Sequence, residues 1–172
     1  FCIINQSGQV AFRAEIYDMN AQFHLPRLDS YRKGVFVGSP GEAPGKVFMH
    51  QDSGAGGGVF TYSYGTIDLA DDGEVAFSAS LSYRSGVFIG KASELPQTVA
   101  LGGDTAPLGG TFGSDFAVYM NSQADYFFRS SLTGGSANSG LFLRRRGTSS
   151  LQTVTLSGQS APNTPGSFSA IG

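Results

Sequence analysis

The stretch that decides the fold reads GEVAFSA at residues 73–79, and residues 8–14 carry a close copy, GQVAFRA. A weaker third copy, ADYFFRS, occupies residues 124–130. Bulky apolar residues alternate with small or polar ones along these copies, which is the period-two pattern of a strand with one buried face. The sequence therefore predicts three related β-strands, one in each of three repeats.

A second motif follows each of these strands at a regular interval. It reads GVFVG at residues 34–38, GVFIG at residues 86–90 and GLFL at residues 140–143. Its first glycines are 52 and 54 residues apart. Each copy is a short apolar run that begins with glycine, as expected for an inner strand with neighbours on both sides.

A third motif joins another strand to a glycine-rich loop that ends in Phe60, Phe112 or Phe168. With these motifs each unit contains four short strands, and we find no amphipathic helical stretch. Four antiparallel strands in each of three units of about 52 residues predict an all-β, propeller-like array in a single repeat domain. The units are approximately residues 1–60, 61–112 and 113–172.

The fourth strand of the last unit is divided between the two ends of the sequence. Nine residues separate Phe112 from Asn121, and nine also separate Phe168 from Asn5 if residue 1 is placed after residue 172. The strand could close within one molecule, join copies head to tail into a ring or a filament, or belong to a longer array. Three blades are few for a closed propeller, so we expect association with another copy or with flanking repeats. The apolar ends also indicate a processed piece or a fragment.

Residues 5–12, NQSGQVAF, match a known repeat signature. The chain resembles bacterial surface proteins with tandem Asn-x-x-Gly-x-x-Ala-Phe repeats, the choice-of-anchor tandem-repeat family. Residues 70–77 lack the Asn of this signature, and residues 121–128 lack its Gly and its small residue. The resemblance implies export and display at the cell surface, and it implies no catalytic residues.

Composition excludes several functional classes. The 172 residues include 11 Lys and Arg against 13 Asp and Glu, a net charge of −2, which argues against a basic nucleic-acid binder. No run approaches the roughly 20 apolar residues that span a bilayer, so we expect no membrane span in this segment. The single cysteine, Cys2, excludes an internal disulfide and a cysteine-rich zinc site.

An insertion interrupts the first unit between residues 17 and 31. Phe12 and Gly34 are 22 residues apart, whereas Phe77 and Gly86 are 9 apart. Aromatic rings that stack on sugars and polar groups that hydrogen-bond to them make the insertion a candidate carbohydrate contact, although it could equally be padding at a subunit contact. Its candidate ligand-binding residues are Tyr17, His24, Arg27, Asp29 and Tyr31.

A basic run, Arg144, Arg145 and Arg146, follows the inner strand of the third unit. Guanidinium groups bind sulfate, phosphate and carboxylate, so these arginines are candidates for contact with an anionic glycan or an anionic lipid surface. The alternative is a solvated turn.

An acidic turn contains Asp68, Asp71 and Asp72. Carboxylates clustered on a glycine turn could bind calcium, the one cofactor that the sequence leaves open, although the turn lacks alternating Asp spacing. The alternative is an ordinary hairpin turn.

No residue of the sequence is assigned a catalytic role. His50 and Asp52 could form an acid/base pair, but Asp52, Asp104 and Gln159 recur at one repeat position, which favours a loop-capping role. Carboxylates could also pair across a propeller channel for glycoside chemistry; the candidates are Glu15, Asp18, Asp52 and Asp104.

These observations lead us to expect a non-catalytic extracellular repeat module for surface structure or self-assembly by strand completion. The alternative is a carbohydrate-binding or glycan-cleaving propeller that uses the insertion and the channel carboxylates.

Overall fold

The computed structural model describes residues 2–17, 31–55, 57–62 and 65–171. All its regular elements are strands, as the period-two patterns predict, and no helix occurs in these ranges. No candidate membrane-spanning helix is therefore found among them. The strands are β1 (Cys2–Ile4), β2 (Val10–Tyr17), β3 (Tyr31–Gly38), β4 (Gly45–Met49), β5 (Phe60–Tyr62), β6 (Ile67–Leu69), β7 (Val75–Leu81), β8 (Arg84–Gly90), β9 (Gln97–Leu101), β10 (Thr111–Phe112), β11 (Ala117–Met120), β12 (Tyr126–Thr133), β13 (Ser139–Arg144) and β14 (Gln152–Leu156).

The strands form three antiparallel sheets that follow one another along the chain. The first sheet has the order β1-β2-β3-β4. The second has β5 and β6 on one edge of β7, followed by β8 and β9, and the third has β10 and β11 on one edge of β12, followed by β13 and β14. This confirms the expected all-β class of antiparallel sheets; the first sheet has the expected four strands, whereas the second and third have five each.

In the second and third sheets, two short strands replace the single edge strand that the sequence predicts for each unit. Phe60 pairs with Leu81 at one end of β7, whereas Ile67–Leu69 pair with the other end. β5 and β6 are therefore two short strands in place of one, and β10 and β11 divide in the same way. The two pieces contact opposite ends of the same neighbour.

The sheets pack face to face in chain order, with the second sheet in the middle. One buried cluster joins Ala11 and Val35 of the first sheet to Phe77 and Phe88 of the second. Another joins Ala76 of the second sheet to the third. Ala11 and Ala76 have no exposed surface, so the small residue of these two Val-Ala-Phe motifs allows close approach of the neighbouring sheet.

Side chains also connect the edges of neighbouring sheets. Asp68 Oδ2 accepts a hydrogen bond of 2.8 Å from the Met120 backbone N–H, and Thr66 Oγ1 accepts one of 2.7 Å from Val118. An edge strand presents unpaired N–H groups, and these two side chains satisfy those of β11. The connection fixes the third sheet against the second.

Candidate functional site

The insertion begins and ends on paired strands. Tyr17 closes β2 and Tyr31 opens β3, and the two residues are backbone partners across the sheet. His24, Arg27 and Asp29, with Asp18, lie outside the described residues. The expected carbohydrate contact at the insertion therefore stays a prediction.

The acidic turn distributes its carboxylates among different partners. Asp68 binds the Met120 N–H, and Asp71 Oδ1 accepts a hydrogen bond of 3.0 Å from the Gln6 N–H of the first sheet. Asp72 Oδ2 binds Lys91 at 2.9 Å and the guanidinium of Arg146. Within the described part of the chain no three His, Cys, Asp or Glu side chains are grouped as metal ligands. These carboxylates connect sheets, and calcium binding stays an untested prediction.

The recurring Asp or Gln position has a structural role. Asp52 Oδ2, Asp104 Oδ2 and Gln159 Oε1 each accept a hydrogen bond from the backbone N–H three residues earlier, at 2.8, 3.0 and 3.0 Å. Each side chain therefore closes the turn that follows a strand. A hydrogen-bonding structural role is confirmed, but the predicted bond to the N–H groups of the glycine-rich loop is wrong, because the donor is the last residue of the preceding strand.

The carboxylates considered for glycoside chemistry bind separate cations. Glu15 pairs with Lys33 and Asp52 with Lys46, each at 2.8 Å, and Asp104 pairs with Arg84. The described residues pair each of these three carboxylates with a different cation, and pairing of carboxylates across a channel stays an untested prediction.

The arginine run lies on a cleft between the second and third sheets. This arginine cleft has a volume of about 450 Å³ and is lined by Arg144, Arg145 and Arg146 from the third sheet and the turn after it, and by Glu74 from the second. Tyr126, at the start of β12, also lines it. The cleft depends on sheet packing, because Glu74 and Tyr126 are one repeat apart in sequence.

The three arginines have different roles. Arg144 Nε donates a hydrogen bond of 2.7 Å to the Thr148 carbonyl, which holds the turn closed. Arg146 binds Asp72 of the second sheet and so connects the two walls of the cleft. Arg145 is exposed, and its guanidinium has no hydrogen-bond or ion-pair partner among the residues described. Of the three, Arg145 is the one available to an anion.

The two acidic groups beside these arginines have opposite pKa shifts. Burial works against ionisation of Asp72, but hydrogen bonds from Lys91 and from the Glu74 N–H hold its pKa below the usual value. Burial raises the pKa of Glu74, and the Asp72 charge adds to that effect. Glu74 is half-buried and its carboxylate accepts no hydrogen bond from the described residues.

Tyr126 is the most unusual residue of the cleft. Only 2% of it is exposed, and its hydroxyl makes no hydrogen bond of normal geometry within the described structure. Burial raises the pKa of this hydroxyl to about 12, against the opposing effect of the Arg144 charge. The equivalent repeat positions hold Val10 and Val75. Sequence reasoning missed Tyr126 and Glu74, although a tyrosine at a valine position was a signal that could have identified the first.

Comparison with known proteins assigns the chain to one family. A family model described as a family of unknown function (DUF7453) matches residues 1–172. The chain belongs to this family. No curated protein and no solved structure gives a significant match.

Proposed function

We propose that this member of the DUF7453 family is a non-catalytic extracellular repeat module that joins further copies of itself, or flanking repeats, by strand completion. In this arrangement a segment that follows the third sheet adds to the edge of a first sheet. The observation that carries the proposal is a matched pair of sites, a preformed donor segment and an edge of the first sheet beside Ile16 that pairs with no strand among the described residues. The extracellular setting rests on the resemblance to exported repeat proteins.

The donor is the loop that ends in Phe168. In the two internal loops the Phe60 carbonyl accepts a hydrogen bond of 2.8 Å from Gln51 N–H, and the Phe112 carbonyl accepts one of 2.7 Å from Gly103. The Phe168 carbonyl accepts one of 2.7 Å from Gly158 in the same manner. The third loop is therefore folded like the other two. Phe168 is half-buried, and no described strand pairs with it.

The acceptor is the β2 edge of the first sheet. Phe60 pairs with Leu81 of the second sheet and Phe112 with Leu132 of the third, and both leucines are buried. Ile16 holds the equivalent position of the first sheet and is 42% exposed.

The rings beside this position are also incompletely covered. Phe12 and Phe36 stack with centroids 5.8 Å apart and are half-buried. The equivalent rings of the second sheet, Phe77 and Phe88, are fully buried and pack near Phe60. A phenylalanine added from another unit would complete the first sheet in the same way. Full burial of one such side chain contributes about 1.5–3 kcal/mol, set against the entropy of association.

The third sheet, at the other end of the series of sheets, also has an exposed apolar surface. Tyr119 and Phe127 of the third sheet stack with centroids 5.2 Å apart and are 46% and 39% exposed. Phe127 occupies the repeat position of Ala11 and Ala76, so a neighbouring sheet could not approach as closely as within the chain. For this reason we assign the main contribution to association between copies to the Phe168 segment rather than to packing of one sheet face on another.

Head-to-tail contacts of this kind are heterologous, so they close into a ring or grow into a filament. Two copies would supply six sheets, within the size range of a closed propeller. A propeller-like dimer is therefore the arrangement that we propose first, with a filament as the open form of the same contact.

Light scattering over a concentration series tests the proposal. We expect association of the unmodified chain, and monomers for Phe168→Ala, which alters the donor, and for Ile16→Lys, which alters the acceptor. Leu108→Lys is the matched control, because Leu108 is 77% exposed and belongs to neither site.

Mixing the two variants provides the decisive result. Phe168→Ala retains a normal acceptor and Ile16→Lys retains a normal donor, so the mixture should form a one-to-one dimer that neither variant forms alone. An unmodified chain that stays monomeric at all concentrations would contradict strand completion between copies, and variants that associate like the unmodified chain would contradict the assigned donor and acceptor.

A further inference from the structure

We propose that the arginine cleft binds a sugar that carries a single negative charge, as a carboxylate or a sulfate ester. The anionic group would bind Arg145, with Arg144 beside it, and the sugar hydroxyls would bind Glu74 and Tyr126. This site is independent of strand completion, because it lies between the second and third sheets of one chain and uses neither Phe168 nor Ile16.

The charges of the cleft favour an anion. Arg144, Arg145 and Arg146 line it, and among the described residues Glu74 is the one carboxylate in its lining. Arg146 is already paired with Asp72 of the second sheet, which lies outside the lining. Arg145 has no such partner, and a guanidinium forms two parallel hydrogen bonds with a carboxylate or a sulfate. An anionic group is therefore expected at Arg145.

The polar groups beside Arg145 favour a sugar over a simple ion. An unpaired hydroxyl as deeply buried as that of Tyr126 costs folding free energy, and a valine fills this position in the other two repeats. Glu74 repels a bare anion, most strongly one with two charges. A ligand with hydroxyls next to a single charge would use both groups, with Glu74 as acceptor and Tyr126 as donor. A cleft of about 450 Å³ lies in the size range of small-ligand pockets.

The test is calorimetric titration of the whole chain with three oligosaccharides of equal length. They are a galacturonic acid oligomer, a sulfated galactose oligomer and an uncharged galactose oligomer. We expect one or both charged oligomers to bind, and the one that binds identifies the anionic group. Equal binding of the uncharged oligomer, or no binding of either charged one, would overturn the proposal.

Two variants distinguish a specific binding site from general electrostatic attraction. Arg145→Ala should weaken binding about tenfold, as expected for loss of a charge-assisted hydrogen bond. Arg84→Ala is the matched control, because Arg84 is also exposed but pairs with Asp104 away from the cleft, and it should leave the affinity unchanged. An equal loss in both variants would mean that only overall charge matters, against the proposal.

Glu74→Gln distinguishes a sugar site from a simple anion site. If Glu74 accepts a hydrogen bond from a sugar hydroxyl, the variant should bind the charged oligomer more weakly. If the cleft only attracts anions, removing a negative charge should tighten binding, and that result would overturn the proposed arrangement. Tyr126→Phe should also weaken binding while the free protein stays folded, as its thermal unfolding would show.

Discussion

Substitution of Gly86 by alanine should destabilise the protein, because β8 leaves too little room for a Cβ atom at this position. A Cβ added at Gly86 would lie 2.5 Å from Leu101 Cδ2 and 2.6 Å from the Ala100 carbonyl oxygen. The Leu101 side chain can move, but the carbonyl belongs to the ladder between β8 and β9. Overpacking of this kind costs about 1–3 kcal/mol.

Part of this cost is offset, because alanine restricts the unfolded chain more than glycine does. That effect stabilises the folded state by about 0.4–1 kcal/mol where the backbone conformation is allowed. We therefore expect Gly86→Ala to lower the free energy of unfolding by about 1–2 kcal/mol and, for a chain of this size, to lower Tm by about 2–8 °C.

Gly90 provides a control in the same strand. A Cβ there would lie 3.2–3.4 Å from atoms of Pro96, which requires a shift of only a few tenths of an ångström. Urea denaturation of the two alanine variants, followed by circular dichroism, compares them directly. A Gly86→Ala variant as stable as the unmodified chain, or a larger loss for Gly90→Ala, would refute the steric reasoning.

Four other substitutions test the contacts between sheets and the lining of the arginine cleft. Asp68→Ala should cost about 1–3 kcal/mol because the Met120 N–H loses its acceptor, whereas Asp71→Ala, at an exposed contact, should cost less than half as much in the same urea titration. Burial raises the pKa of Glu74 above its usual value of 4.5, so the stability linked to its protonated form is present below that pH and is lost as the pH rises through the folded-state pKa; Glu74→Gln should therefore gain stability relative to the unmodified chain as the pH rises through this range, and a constant difference would contradict this. Tyr126→Phe should raise the free energy of unfolding of the unliganded protein by about 1 kcal/mol, because it removes a buried hydroxyl without a partner, and calorimetric unfolding measures the change.

The local pattern was enough to predict the strands and their repetition. Alternation in residues 73–79 predicts β7, and the glycine-led motif at residues 86–90 predicts β8, which the structure extends by two residues to begin at Arg84. Both signals are local, because side-chain periodicity and glycine depend on the conformation of a few neighbouring residues. The division of the edge strand into β5 and β6 was not predictable in this way, because it depends on where each piece contacts β7.

Most of the candidate site, in contrast to the strands, could not be predicted from the sequence. The three arginines were identifiable as a basic run, but their unequal roles depend on partners such as Thr148 and Asp72, and the second of these lies on another sheet. Glu74 and Tyr126 have no special spacing relative to the arginines.

The all-β class and the repetition of the strands were predictable from the sequence, because periodicity and turn chemistry are set over short distances. The sharing of one cleft by Glu74, Tyr126 and Arg145, and the position of Ile16 at an edge that no described strand covers, depend on the tertiary structure. Face-to-face packing of successive sheets brings together residues one repeat apart, and it leaves a different face uncovered at each end of the row.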